Sequence, residues 1–308
     1  MTRLVIHGAA GFVGSTLLTG GDLGVSALTL VDPAPLDADV AEVVAGLDAT
    51  VRRDTALPEG EADVLLVLAG QTDVDQALAD PRLAFTANGS IALEVAEWWR
   101  QRPDTRVVYL SSDEVLGVSD RPLAPDAPYR PTQPYAASKA AAEMMLRCYA
   151  DTYGLDLIVI RSCNLVGGRQ RARKLIPTAV TALAAGEPVP VFGDGTQARE
   201  YLAVEDLCEV LRSAIAGDVP VGVHHCTSGA ALTILEVVEL VAAAVGVPAV
   251  ISHVRDRLVH DRAYAMDPGS LTTLGWKPHV TPADAISRAA ADMVAALRRG
   301  EPLTYRTV

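Results

Sequence analysis

Between Arg3 and Ser162 short apolar runs rich in β-branched residues alternate with longer amphipathic stretches, and few folds accommodate that rhythm. The runs are RLVIHG, ALTLVD, ADVLLVLAG, RVVYLSS and LDLIVIRS, with helices predicted from Phe12, through LEVAEWWR and from Tyr135. Strands that read as unbroken apolar runs are buried on both faces, and strands that alternate with helices are joined by crossovers. The segment therefore predicts an α/β fold, a doubly wound parallel sheet with helices on both sides. After about Asn164 the rhythm breaks. A helix through KLIPTAVTALAAG, extended pieces at PVPVFGDG and HHCTSG, a helix from Ile234, a strand near Val250 and a last helix from Pro282 predict a smaller C-terminal α/β lobe. The expected division is a first domain of residues 1–165, to which 204–228 return, and a second lobe of 166–203 and 229–308.

With 308 residues, half of them apolar, the chain can bury a sizeable core. A net charge of -12 argues against a surface built as a whole for nucleic acid or anionic lipid, though not against a local phosphate pocket. No apolar stretch reaches the roughly 18 residues that suggest a spanning helix, so no membrane association is expected. Cys148, Cys163, Cys208 and Cys226 stand far apart, with no CxxC pair and no metal-ligand spacing. No metal is expected. Reduced thiols, and no secretory leader before the first apolar run, fit a cytoplasmic protein. The sequon at Asn88 reads as coincidence in such a protein.

Two motifs carry chemistry. After the first strand, GAAGFVG places Gly8, Gly11 and Gly14 at the spacing GxxGxxG. Glycine there allows a tight turn, close approach of the backbone to a pyrophosphate, and close packing of a helix whose N-terminus faces the anion. A glycine-rich strand-to-helix turn without a ligand has the same pattern. Asp32, ending the second strand, stands where a carboxylate accepts from the adenosine ribose hydroxyls and repels a 2′-phosphate, which favours NAD over NADP. It also reads as a solvated turn residue before Pro33. Asp54 is a second candidate for the adenine edge, and Leu68, Ala69 and Gly70 end a strand against which a cofactor could lie.

The second motif is PYAASKAAAE, with Tyr135 and Lys139 four residues apart on one helix face. A nearby ammonium, aided by a positive nicotinamide ring, stabilises a tyrosinate and brings the phenol toward use as a base for a sugar hydroxyl. A surface Tyr and Lys share that spacing by chance, but Lys139 is one of only three lysines, with Lys174 and Lys277. The strand before this helix ends in LSSDEVLG, Leu110 to Gly117. Ligands of doubly wound sheets sit outside the carboxyl ends of the strands, so Ser111, Ser112, Asp113 and Glu114 face a site. On a continuing strand Asp113 and Glu114 point to opposite faces, so both can serve one substrate only if the chain has already turned. SSDE also reads as the cap of a following helix.

Together these residues resemble the extended short-chain dehydrogenases/reductases, the NAD-dependent epimerase/dehydratase family, and within it the dTDP-glucose 4,6-dehydratases. SSDEVLG is similar to that subgroup's STDEVYG, with Ser112 in the place of its threonine. TDVDQALADP, TAN ending at Asn88, KLIP, QAREYLAVEDL, HDRAYAMD and LGWKP extend the likeness over most of the chain.

The resemblance implies a Rossmann-like domain that retains one NAD, a nucleotide-diphosphate sugar as substrate, and a redox-neutral elimination. Tyr135 would take the C4 hydroxyl proton, with Ser112 polarising it and Lys139 holding the tyrosinate, while hydride passes to NAD. Glu114 would then act as base at C5 and a protonated Asp113 as acid on the C6 hydroxyl, before hydride returns to C6. Two neighbouring carboxyls suit this because they can hold different pKa values. Gly8, Gly11, Phe12, Val13, Gly14, Asp32, Asp54, Leu68 and Ala69, with Tyr135 and Lys139, would line the cofactor. Asn88, Asn164, Lys174, Leu175, Arg199, His260 and Arg262 would meet substrate, Asn88 on either the cofactor or the sugar side. A homodimer through a helix bundle that includes the Tyr135 helix is also implied.

The chain departs from the subgroup at Leu116 in place of tyrosine, at GQTD (Gly70 to Asp73), and at Leu258, Val259 and Ala263. These positions touch the sugar and base pockets and leave both sugar and nucleotide open. A UDP-glucuronate decarboxylase or a 4-epimerase shares the scaffold, but Asp113 beside Glu114 favours elimination. A catalytically silent NAD-binding regulator would be expected to lack Tyr135 or Lys139.

Overall fold

The computed structural model describes residues 2–119, 121–170, 173–256, 264–301 and 303. The elements run β1 (Arg3–His7), α1 (Phe12–Thr19), β2 (Ala27–Val31), α2 (Ala38–Ala45), β3 (Ala49–Arg52), β4 (Val64–Val67), α3 (Val74–Ala79), α4 (Pro81–Arg100), β5 (Arg106–Ser112), a 3-10 turn (Asp113–Leu116), α5 (Pro134–Tyr153) and β6 (Leu157–Ser162). They continue with β7 (Asn164–Val166), α6 (Leu175–Ala184), β8 (Val189–Phe192), β9 (Ala198–Ala203), α7 (Val204–Ala216), β10 (Gly222–Cys226), β11 (Ala231–Thr233), α8 (Ile234–Val245), β12 (Ile251–Val254), α9 (Gly269–Thr272) and α10 (Pro282–Arg298). Among the described residues no helix is long and apolar enough to cross a membrane.

The chain forms two compact units. The first comprises Met1–Gly117, Pro125–Ser162 and Cys208–Cys226; the second comprises Val118–Ala124, Cys163–Leu207 and Thr227–Val308. In the first unit seven strands pair in the order β10-β6-β5-β4-β1-β2-β3, every pair parallel. The order reverses at β1, which lies between β2 and β4, so the ends of β1 and β4 mark the switch point where doubly wound sheets bind ligands. β4 and β6 are buried at every position, as strands covered on both faces must be. One face packs Val5, Leu65, Val107 and Val159 against Ala92, Val95 and Trp99 of α4 and Leu146 of α5.

The predicted doubly wound sheet is thus the observed one. The sequence reading passed over β3, a four-residue edge strand with two exposed residues, which has neither alternation nor an apolar run to reveal it.

The second unit has a three-stranded sheet, β11-β9-β7, and a two-stranded one in which β12 pairs parallel with β8. Its core gathers Ile176, Val180, Val237, Val241, Ile286 and Met293 from α6, α8 and α10. α8 opens on a capping box, Thr233 with Glu236, and stops at left-handed Gly246.

Candidate active site

The glycine turn is shaped by backbone crowding. Gly8 has φ +95, and a Cβ there would lie 2.5 Å from the Ala69 nitrogen, because β1 and β4 converge at the switch point. A Cβ on Gly14 would lie 2.6 Å from the carbonyl oxygens of Gly8 and Ala9, so α1 can press onto the turn only without one. Gly11 differs: its Cβ would approach only the Gly8 oxygen, at 3.2 Å. It is the N-cap of α1 and supplies no side-chain cap, so the first-turn amides around Phe12 and Val13 suit an anion. The half-buried Asp32 carboxylate accepts from the amides of Ala10 and Ala34, both at 2.9 Å, which fastens the turn to the end of β2. Leu68 and Ala69 both donate to the His7 carbonyl. Asp54 is exposed and pairs with Arg52 at 3.2 Å. The turn therefore has the shape and donor set for a dinucleotide diphosphate, with the Asp32 carboxylate tied to its edge.

The catalytic candidates assemble in the same unit at the end of β5. The strand stops at Ser112, and Asp113 and Glu114 lie on a single 3-10 turn, so the chain has turned before the acids. Ser112 is at once the cap of that turn and its hub. Its hydroxyl accepts from the Glu114 amide at 3.3 Å, donates to Asp113 Oδ1 at 3.0 Å and is hydrogen-bonded to the Tyr135 phenol. The capping and active-site readings of SSDE therefore describe one structure. The turn closes at Gly117, φ +72, where a side chain would collide with the Arg130 carbonyl. Leu116, the departure from the subgroup's tyrosine, is buried beneath it.

Lys139 is buried on α5, with Nζ donating to the Leu110 carbonyl at 2.7 Å and lying 4.3 Å from the centre of the Tyr109 ring. Burial lowers its pKa to about 8, opposed by the nearby Glu143 carboxylate. Tyr135 is shifted the other way by its surroundings in the chain. Burial first, then the negative charge of Glu114, push the phenol well above its ordinary value, with Asp113 adding to the effect and only the Ser112 hydrogen bond opposing it. These surroundings favour the neutral phenol, and a positive charge brought beside it would favour the tyrosinate. Because Lys139 holds its proton below about pH 8 and loses it above, activity that needs the ammonium is expected to fall as pH rises through that value. A turnover-versus-pH profile measures this.

Three supporting residues carried no role in the sequence reading. Gln133 caps α5, accepting from the Tyr135 amide at 2.7 Å, and donates to Glu114 Oε2. Its position directly before Pro-Tyr was the available signal, since proline favours the first turn of a helix. Glu143 follows Lys139 by four residues and so shares its face. It is wholly buried against Arg161 of β6, at 2.7 Å, and also accepts from Ser111 Oγ and the Tyr129 hydroxyl. Arg161 in turn donates to the Pro125 carbonyl and meets His225 Nε2 at 3.3 Å. Asn88, expected near a ligand, has its amide taken up by protein. It accepts from the Gln71 amide at 2.9 Å and donates to the Gln71 carbonyl and to Ser138 Oγ, holding the turn after β4 to α5.

The remaining substrate candidates lie in the second unit. Asn164 Nδ2 donates to the Glu200 carbonyl at 3.2 Å, and the Arg199 guanidinium lies 4.8 Å from the centre of the Tyr264 ring. Lys174 is exposed at the N-cap of α6, and Leu175 packs partly against the core. His260 and Arg262, with Leu258, Val259 and Ala263, fall outside the described residues.

A glycine turn at the switch point of a parallel sheet, with Ser112 ending β5 and Tyr135 and Lys139 on the helix that follows it, defines a short-chain dehydrogenase/reductase of the extended kind. The model of the NAD dependent epimerase/dehydratase family matches residues 4–222, and the chain belongs to that family. It is 34% identical over 312 residues to a dTDP-glucose 4,6-dehydratase from Actinoplanes, covering 94% of this chain and 97% of that one. It is also 36% identical over 226 residues to the low-salt glycan biosynthesis protein Agl12 of Haloferax volcanii, covering 71% of each chain. The crystal structure of the dTDP-glucose 4,6-dehydratase DesIV from Streptomyces venezuelae, with NAD bound, superposes with a TM-score of 0.87 at 30% identity. That match covers 98% of this chain and 100% of the other.

Proposed function

We propose that the chain is an NAD-dependent nucleotide-sugar 4,6-dehydratase, converting an NDP-hexose to the NDP-4-keto-6-deoxyhexose with net loss of one water. The observation that carries this is the turn at Asp113, which brings the Asp113 and Glu114 carboxyls near enough for both charges to act on the Tyr135 phenol, with Asp113 also accepting from the Ser112 hydroxyl. NAD, seated on the Gly8, Gly11 and Gly14 turn with Asp32 at its ribose, would accept hydride from C4 and return it at C6.

The chain's own residues manage the protons. Tyr135 takes the C4 hydroxyl proton as the C4 carbonyl forms, Ser112 holds that oxygen, and Lys139 keeps a positive charge nearby. The C4 carbonyl acidifies the C5 hydrogen. Glu114 removes that proton, the C5–C6 double bond forms, and the C6 hydroxyl leaves with the proton of Asp113 as water. Glu114 then reprotonates C5 as C6 is reduced, and the proton that Tyr135 took from C4 passes through solvent to replace the one Asp113 gave to the leaving water, which resets both groups. This assignment needs one acid and one base from adjacent residues, a division that unequal environments produce.

Asn164, Lys174, Leu175 and Arg199, with His260 and Arg262, are assigned to the nucleotide diphosphate, whose oxygens match a guanidinium fork. Leu93 on α4 and Met144 and Met145 on α5 are exposed, and that apolar face supports a homodimer joined through these helices. All four cysteines are free of disulfides, which fits a reducing compartment.

Incubation with a panel of dTDP- and UDP-sugars, without added cofactor, and mass analysis of the products tests the reading. Loss of water from one of them is the expected result. Loss of carbon dioxide would instead identify a decarboxylase, and inversion at C4 with unchanged mass an epimerase.

A further inference from the structure

Gln133 does more than an N-cap requires. A short side chain such as serine, threonine or aspartate satisfies that position as a rule. Gln133 places Oε1 2.7 Å from the Tyr135 amide, and its remaining length and Nε2 reach Glu114 Oε2. The amide has one workable orientation, because flipping it would set NH2 against an N–H and a carbonyl against a carboxylate. The side chain is 6% exposed, so water does not readily stand in for either partner.

One planar group thus joins the carboxylate assigned to C5 to the backbone of the residue assigned to the C4 proton. The strap before it is fixed as well. Arg130 N donates to the Val115 carbonyl at 3.1 Å, and Gly117 lies against the Arg130 carbonyl.

We propose that Gln133 is a positioning residue which fixes the Glu114 carboxylate for proton removal at C5, leaving C4 oxidation to Tyr135 and Lys139. The proposal rests on the dehydratase reading and adds a separable claim: loss of the Gln133 amide donor should slow elimination without stopping oxidation. Gln133→Ser keeps a capping oxygen but cannot reach Glu114. Gln133→Glu keeps both length and cap but turns a second acceptor toward Glu114.

In both variants the overall rate is expected to fall about 10- to 100-fold, the factor a hydrogen bond to a charged group contributes, with KM little changed. The 4-keto hexose, trapped by borodeuteride after an acid quench, should accumulate, and exchange of the C5 hydrogen in D2O should slow by the same factor. Crystal structures of the two variants should show Glu114 in a new rotamer. Wild-type rates of C5 exchange in both variants, or an unmoved Glu114, would overturn the proposal. If the unmodified protein removes water from no sugar, the dehydratase reading fails by itself, and the Glu114 rotamer in the variants still decides whether Gln133 positions it.

Discussion

Arg161→Met is expected to lower stability by about 3–5 kcal/mol, read as a fall in the urea midpoint of unfolding, because it strands a carboxylate in the core. Arg161 and Glu143 are both 0% exposed, and their contact at 2.7 Å joins β6 to α5. Coulomb attraction between them offsets the cost of taking two charges out of water, and the offset ends when either partner goes. Glu143→Gln strands the guanidinium and should cost a similar amount. The double variant, Glu143→Gln with Arg161→Met, leaves no isolated charge and should regain most of the loss. A double variant as unstable as the sum of its parents would show that packing, not charge compensation, sets the effect.

The pair also reaches the chemistry. Glu143 accepts from Ser111, one residue before the hub serine, and its charge opposes the burial that lowers Lys139. Without that charge the lysine pKa falls below about 8, so the alkaline limb of the pH profile should move to lower pH in Glu143→Gln. An unchanged limb would mean that Glu143 serves the fold alone.

The parts of this architecture legible in the sequence are those whose cause is local. β4 and β6 read as strands because both faces are covered, and Gly8 and Gly14 mark crowding that a single residue type relieves. Tyr135 and Lys139 fall on one helix face by spacing alone. The Glu143–Arg161 pair escaped because it joins two elements through the core, where an i,i+4 rule has no reach. Gln133 escaped because its cap is local but its second hydrogen bond crosses nineteen residues. In the second unit β8 and β12 were legible as extended pieces, whereas β7, β9 and β11 were not, and β7 and β11, at three residues each, are too short for periodicity to separate from loop. Spacing revealed the lysine on the Tyr135 face but not the burial or the two acids around the phenol, which act to raise its pKa.

Glu114→Gln and Tyr135→Phe separate the two halves of the proposed reaction, and both are expected to reduce product formation by about 10²–10⁴-fold, the range for a lost general base. They should fail at different places. In Glu114→Gln the amide oxygen can still accept from Gln133, so the 3-10 turn keeps its shape while the base is gone. The C4 hydroxyl proton still has Tyr135, so the 4-keto hexose should form and remain, with no deuterium entering C5 in D2O. In Tyr135→Phe the ring keeps its packing against Ala77 and Ala84, but the phenol that faces Ser112 is missing. No 4-keto hexose should form, and C5 exchange should vanish with it, because the C5 hydrogen is acidic only beside the ketone. When the 4-keto compound is supplied directly, Tyr135→Phe should exchange C5 normally and Glu114→Gln should not. That crossed result follows only if the tyrosine acts at C4 and the glutamate at C5. The reverse pattern would exchange their roles, and full turnover by Glu114→Gln would move the C5 base to another residue.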